Sequence, residues 1–310
     1  MFFCNSIEYC SDKNTVVALG CFDGVHAAHR KIISTATKIA KELSAESLAW
    51  TFELPPKNFF SPDSVPIITD INEKRELIEK LSVDKLICVG FDKEIFEMSP
   101  VEFFNEILLK RLKVIHIVCG FNYTFGHMGE GDVALLRRLC ENAGIGLSVV
   151  EQVSINGVPV SSSAIRSALS NGDPESAAAL LGHYFSLSAP VFSNQRLAGK
   201  LGFPTANQIF GKNKLVPKNG VYVSRILLDG AYFFGITNVG TRPTVSDHTL
   251  CAETHIFDFE GDLYGKTITV EFLHFLRDET FFESVGALSA QVHEDILKTK
   301  QYIKEVFRDN

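Results

Sequence analysis

His26 and His29 stand three residues apart, directly after Gly20-Cys21-Phe22-Asp23-Gly24. The segment lies between an apolar run, Val16 to Leu19, and a helical pattern through Ile32, Ile33 and Ala36. A strand running into a helix start is where a polyphosphate can be held, because the first N–H groups of a helix lack internal partners and carry partial positive charge. Two imidazoles on one face of the first turn can donate hydrogen bonds to phosphate oxygens as charge builds during attack at phosphorus, which is electrostatic rather than covalent catalysis. Farther on, Ser161-Ser162-Ser163 opens a second helical pattern with Arg166 one turn in. Serines there are most often helix caps, whereas a guanidinium stays charged and offers several donors in one plane to a phosphate. The loop Gly120 to Gly126 carries Asn122, Tyr123 and Phe125 after the apolar run Val114 to Cys119. It reads equally as an aromatic turn packing the core and as a ligand loop.

These groups need a scaffold, and the chain supplies the pattern of one. Val16 to Leu19, Leu48 to Phe52, Leu86 to Val89, Val114 to Cys119 and Leu147 to Val150 read as strands, with helices over Asn72 to Leu81 and Val101 to Arg111 between them. This alternation predicts a parallel sheet covered by helices, whose ligands sit beyond the carboxyl ends of the strands. After His183 the texture becomes aromatic and β-branched. Val221 to Leu228, Asp229-Gly230 and Ala231 to Ile236 form a hairpin signal, since both central positions of a type I′ turn need positive φ. Thr249 to Phe257 and Thr267 to Leu276 add strands to a small antiparallel barrel or sandwich, and Ser284 to Phe307 places Leu288, Val292, Ile296 and Ile303 on one helix face to cover it. The expected division is residues 1–183 and 184–310.

Bulk properties narrow the partners. A net charge of -7 gives no general attraction for nucleic acid or anionic lipid, so a polyanion must be held by local groups. The 7 cysteines are scattered and form no zinc-type spacing, which points to free thiols in a reducing compartment. Without a basic amino-terminal leader or an apolar run long enough to cross a bilayer, the expected location is the cytoplasm, away from membranes.

Gly20-x-Phe22-Asp23-Gly24-x-His26-x-x-His29 resembles the nucleotidyltransferase H-x-G-H motif in the form carried by bacterial bifunctional riboflavin kinase/FAD synthetases, with Ala28 where the family has glycine. The resemblance implies an α/β, Rossmann-like nucleotidyltransferase domain that adenylylates FMN to FAD. His26, His29 and Arg166 would be catalytic, and Gly20, Phe22, Asp23, Gly24, Ser162 and Ser163 would hold ATP and its phosphates. Asn122, in place of the commoner aspartate, would contact flavin with Tyr123 and Phe125. Thr51-Phe52-Glu53-Leu54-Pro55-Pro56 departs from the family's T-F-x-P-H-P.

Gly202-Phe203-Pro204-Thr205-Ala206-Asn207 resembles the G-F-P-T-A-N signature of riboflavin kinases, followed in family order by Asn238 to Thr244, Glu253-Thr254-His255 and Leu263-Tyr264-Gly265. Outside that resemblance Pro-Thr-Ala-Asn is merely a turn. Within it, Gly202, Thr205 and Asn207 would serve ATP, and Thr205 and Asn207 would supply hard oxygen ligands to Mg²⁺. Glu253 would be the general base toward riboflavin, and Arg277 would close over bound flavin. The glycine-containing phosphate loop expected before Gly202 is altered, with Ala189, Asn194, Ala198 and Gly199 at its positions. The expected function is therefore two ATP-dependent steps, riboflavin to FMN and FMN to FAD; the alternative is a lone FAD synthetase whose second domain only binds flavin.

Overall fold

The computed structural model describes residues 1–61, 65–192, 204–243 and 248–307, and the chain divides into two compact units, Met1–Ser162 and Ser163–Asn310.

The first unit is built on six strands: β1 (Phe2–Cys4), β2 (Thr15–Leu19), β3 (Glu46–Phe52), β4 (Lys85–Val89), β5 (Val114–Gly120) and β6 (Gly146–Val150). They pair in parallel in the order β1-β4-β3-β2-β5-β6. Strands β3 and β4 follow β2 on one side and β5 and β6 lie on the other, so the order reverses between β2 and β5. That switch point, outside the carboxyl ends of both strands, is where sheets of this kind bind their ligands. Alternate residues feed two cores. Val17, Leu19 and Trp50 face Phe103, Phe104, Ile107 and Leu108, whereas Val16, Ala18 and Ala49 face Ile32, Ile33 and Ala36 of helix α1 (Ala27–Glu42). Burial on both faces explains why these strands are apolar without alternation.

Two expected helices shift in detail. The helix expected over Asn72 to Leu81 runs Ile71–Glu79, opened by a capping box between Asp70 and Glu73. The Val101–Arg111 pattern becomes one turn, Pro100–Glu102, followed by a π-helix, Phe103–Arg111, in which the Leu112 N–H donates to the Ile107 carbonyl. Wider winding still turns Phe103, Phe104, Ile107 and Leu108 inward, so the apolar pattern is satisfied by a different ladder. Strand β1 was not anticipated; three residues at a sheet edge leave little periodicity to read. A short hairpin, β7 (Ser154–Ile155) and β8 (Val158–Pro159), completes the unit.

The second unit begins at Ser163, inside the Ser162–Ser170 helix, and takes in the Pro174–Leu181 helix: the Lys218 N–H donates to the Leu169 carbonyl, and Glu175 pairs with His274. Six antiparallel strands follow: β9 (Ser186–Pro190), β10 (Ala206–Ile209), β11 (Gly220–Leu228), β12 (Ala231–Pro243), β13 (His248–Ile256) and β14 (Thr267–Arg277), in the order β10-β13-β12-β11-β14-β9. The sheet curls nearly closed. The Phe192 N–H donates to the Asn207 carbonyl at 2.9 Å, and Gln208 Nε2 donates across the gap to the carbonyls of Ala189 (2.7 Å) and Ile268 (2.8 Å). Asp229 and Gly230 adopt φ of 50° and 82°, the hairpin expected of Asp-Gly. On the helix Val285–Val306, Val292, Ile296 and Ile303 pack over Val221, Ile236 and Phe257; Leu288 is not part of that cluster, and the fully buried helix positions are Asp295 and Thr299.

Candidate active sites

The Gly20–His29 segment leaves β2 at the switch point and is tightly bent. Phe22 and Val25 have φ of 48° and 39°, left-handed values that cost a bulky or β-branched residue roughly 1–3 kcal/mol each. Phe22 folds back so that its ring fills the space a side chain at position 20 would need, which requires glycine there. Buried hydrogen bonds hold the bend. Asp23, 3% exposed, accepts from the backbone N–H groups of Ile68 (2.9 Å) and Thr69 (3.1 Å), and the Gly24 N–H donates to Thr69 Oγ1 at 3.0 Å. The Cys21 carbonyl accepts from Thr51 Oγ1 at 2.7 Å and Lys74 Nζ at 3.2 Å, and Ser162 Oγ donates to the Asp23 carbonyl at 3.0 Å. Phe22 and Asp23 thus face inward and shape the turn.

His26 caps α1, its Nδ1 accepting from the His29 N–H at 3.3 Å, which places the neutral ring's proton on Nε2. The two imidazoles stack with centroids 3.5 Å apart, and the Phe22 ring meets His29 edge-on at 5.3 Å. His29 is held well below the usual imidazole range, first by burial, then by the adjacent His26 and by Lys74, so it is a neutral ring. Its Nδ1 is buried without a hydrogen-bond partner, the kind of orphaned group a bound oxygen would satisfy.

The other expected residues of this region separate. Asn122 is exposed, whereas Phe125 lies in the core and stacks on Tyr123, whose phenol burial pushes far above its usual range. Ser163 is exposed and Arg166 half-buried on the Ser162–Ser170 helix, in the second unit. A cavity of about 350 Å³ lies past the carboxyl ends of β3 and β4, lined by Glu53, Leu54, Asn58, Phe59, Gly90 and Phe91. Phe59, Phe60, Phe91 and Phe96 form a chain of ring contacts beside it, with Phe59 and Phe60 themselves exposed. The sequence signal for these rings is slight: two consecutive phenylalanines in the short helix Lys57–Phe60.

On the barrel, register assembles the second site. Asn207 of β10 stands opposite Glu253 of β13, which stands opposite Asn238 of β12, placing an amide, a carboxylate and an amide in one row on one face. Asn207, 5% exposed, donates from Nδ2 to the Thr205 carbonyl at 3.1 Å; Glu253 is half-buried. Glu279, which no motif marks, reaches the same face. Asn238 Nδ2 donates to its Oε1 at 3.3 Å, and its carboxylate rests on Gly240 where a side chain would stand. Arg277 has a defined partner. Its Nε and Nη2 donate to both oxygens of Asp295, at 2.8–3.1 Å, and Nη1 donates to the Asp278 carbonyl at 3.0 Å. Asp295 is 1% exposed and also accepts from Gln291, so the arginine joins β14 to the carboxyl-terminal helix. Gly202 and, of the altered glycine loop, Asn194, Ala198 and Gly199 lie outside the described residues, whereas Ala189, on β9, pairs with Ile268. Among the described residues no helix is long and apolar enough to cross a membrane, and no three His, Cys, Asp or Glu side chains converge on a metal position.

Comparison with known proteins adds independent findings. The family model for FAD synthetase matches residues 9–164, and that for riboflavin kinase matches residues 181–303. A bifunctional riboflavin kinase/FMN adenylyltransferase of Pseudomonas fluorescens is 35% identical over 285 residues, covering 92% of this chain and 91% of its own. The protein of that name in Escherichia coli is 31% identical over 300 residues, 96% of each chain. A crystal structure titled a macrolide-efflux protein, from Streptococcus pneumoniae, superposes with a TM-score of 0.89 at 27% identity, covering 97% of this chain and 99% of its own.

Proposed function

The chain belongs to the bifunctional riboflavin kinase/FMN adenylyltransferase family, and from that membership we propose how its residues divide the two reactions. It makes FMN from riboflavin and ATP, and FAD from FMN and a second ATP. Adenylyl transfer belongs to residues 1–183 and phosphorylation to residues 184–310.

In the kinase step Glu253 takes the proton of riboflavin's terminal ribityl hydroxyl. The freed oxygen attacks the γ-phosphorus, the bond to the bridging oxygen breaks, and ADP leaves. The row Asn207–Glu253–Asn238 supports this, because it sets the base between two amides that can orient a hydroxyl and a phosphate. The oxygen-rich Thr205 and Asn207 fit Mg²⁺: the Asn207 amide nitrogen is turned to the Thr205 carbonyl, which directs the amide oxygen the opposite way. These two residues would hold the ion, which neutralises ATP phosphate charge when bound. Arg277 sits at the end of β14 beside this face, fixed by Asp295.

In the second step a phosphate oxygen of FMN attacks the α-phosphorus of ATP, and the bond to the departing pyrophosphate breaks. His26 and His29 hydrogen-bond the phosphate oxygens as charge shifts, with Ser162, Ser163 and Arg166 assigned to the leaving pyrophosphate. The single observation that carries this half is the stacked histidine pair at the switch point, in which His29 is held neutral and has an orphaned buried nitrogen. Flavin is assigned to Asn122, Tyr123 and Phe125, and to the aromatic cavity at Phe59 and Phe91. None of the seven cysteines is in a disulfide, which suits a reducing compartment, and we place the protein in the cytoplasm.

Incubation with Mg²⁺-ATP and riboflavin, with chromatographic separation of the flavins, tests the whole reading. FMN and then FAD are expected; FAD from supplied FMN with riboflavin untouched would overturn the kinase half.

A further inference from the structure

The carboxyl ends of parallel strands present backbone carbonyls to the crevice in which a ligand binds. That is an awkward lining for a triphosphate, since carbonyl oxygens repel phosphate oxygens. Here two such carbonyls, of Phe52 at the end of β3 and of Cys21 just past β2, converge on one side chain. Lys74 Nζ donates to Phe52 O at 2.6 Å and to Cys21 O at 3.2 Å.

Lys74 is 1% exposed and among the largest fully buried side chains of the described residues. Among those residues it forms no ion pair: both of its polar contacts are to neutral carbonyls. A buried cation without a carboxylate is costly, and a surrounding of apolar packing or a paired acid would be more stable. Its helix, Ile71–Glu79, is anchored to the site from the other end as well, because Ile68 and Thr69, just before that helix, are the residues that clasp Asp23. One segment, residues 68–74, thus grips the strained turn at Asp23 and at Cys21.

We propose that Lys74 is a positioning residue for adenylyl transfer: its buried ammonium covers the Cys21 and Phe52 carbonyls, fixes the Gly20–Gly24 turn, and supplies from behind the positive charge that incoming ATP phosphate neutralises. The same charge is one of the influences holding His29 neutral, so the ring reaches the nucleotide as a hydrogen-bond donor with a vacant nitrogen. The inference rests on assigning the His26/His29 segment to adenylyl transfer.

Three variants of the full chain test it: Lys74→Gln, which keeps donors without charge; Lys74→Met, which removes both; and Lys74→Arg, which keeps the charge. For FAD formation from FMN, kcat/KM for ATP is expected to fall about 10- to 100-fold in Lys74→Gln and further in Lys74→Met. KM for FMN and the rate of riboflavin phosphorylation are expected to stay within about twofold. The His29 ring resonance is expected to titrate at higher pH in both uncharged variants, a change that a purely structural role would not produce. Lys74→Gln with wild-type ATP kinetics overturns the proposal. If Lys74→Met destabilises the first unit, the comparison passes to Lys74→Gln and Lys74→Arg at a temperature where both are folded, and equal activity of those two overturns it. A separate control reads the underlying assignment: His29→Ala that still forms FAD removes the site itself, whereas His29→Ala inactive beside a fully active Lys74→Gln removes only the role of Lys74.

Discussion

The two candidate sites bring polar side chains together by opposite construction. The histidine site sits on a turn with left-handed Phe22 and Val25, and it stays in place because groups remote in sequence, the buried Thr51, Ile68, Thr69 and Lys74 and the half-buried Ser162, bond its backbone and Asp23. The kinase face needs no strain, since ordinary antiparallel register sets Asn207, Glu253 and Asn238 side by side. A site made by register tolerates change between its strands; a site made by strain depends on every strut beneath it.

The sharpest way to break this comparison is to remove the base. Glu253→Gln is expected to slow riboflavin phosphorylation about 10²- to 10⁴-fold and leave FAD formation from FMN unchanged. Loss of both activities, measured on separate substrates, would mean that the sites are not independent. His29→Ala is expected to do the converse, lowering FAD formation about 10²- to 10³-fold while sparing the kinase.

Stability probes sharpen the contrast further. Asp295→Ala leaves the Arg277 guanidinium facing an emptied, buried position and is expected to destabilise the second unit by about 3–5 kcal/mol in denaturant unfolding. If flavin binding falls as well, Arg277 is positioned by this pair rather than merely anchored by it. The smallest effect is a pH slope. His29 in the folded chain titrates well below its usual 6.5, so the unfolded chain binds the proton first as pH falls. Its contribution is complete above pH 6.5 and is lost progressively below it, toward the lower folded value. His29→Gln is expected to flatten that part of the stability-versus-pH curve; an unchanged slope would mean that the ring is not held neutral.

Residue pattern alone carried a good deal. The apolar runs at Val16, Leu48, Leu86, Val114 and Leu147, the Asp229-Gly230 turn and the amphipathic carboxyl-terminal helix are local signals, because side-chain period and backbone preference act over a few residues. The histidine pair, Thr205, Asn207 and Glu253 were legible as a series of motifs. What tertiary structure decided depends on distance through space. The strand order that reverses between β2 and β5 is invisible to any local window, as is the packing of the chain into units that meet at Ser162 and Ser163. Lys74 and Asp295 carry no local sign of burial, yet both are buried, since only the folded chain brings two carbonyls to one and a guanidinium to the other. Sequence determined which chemical groups were available and which elements carried them; burial determined which of those groups carry uncompensated charge or an unused nitrogen, because desolvation exists only once the chain has closed around them.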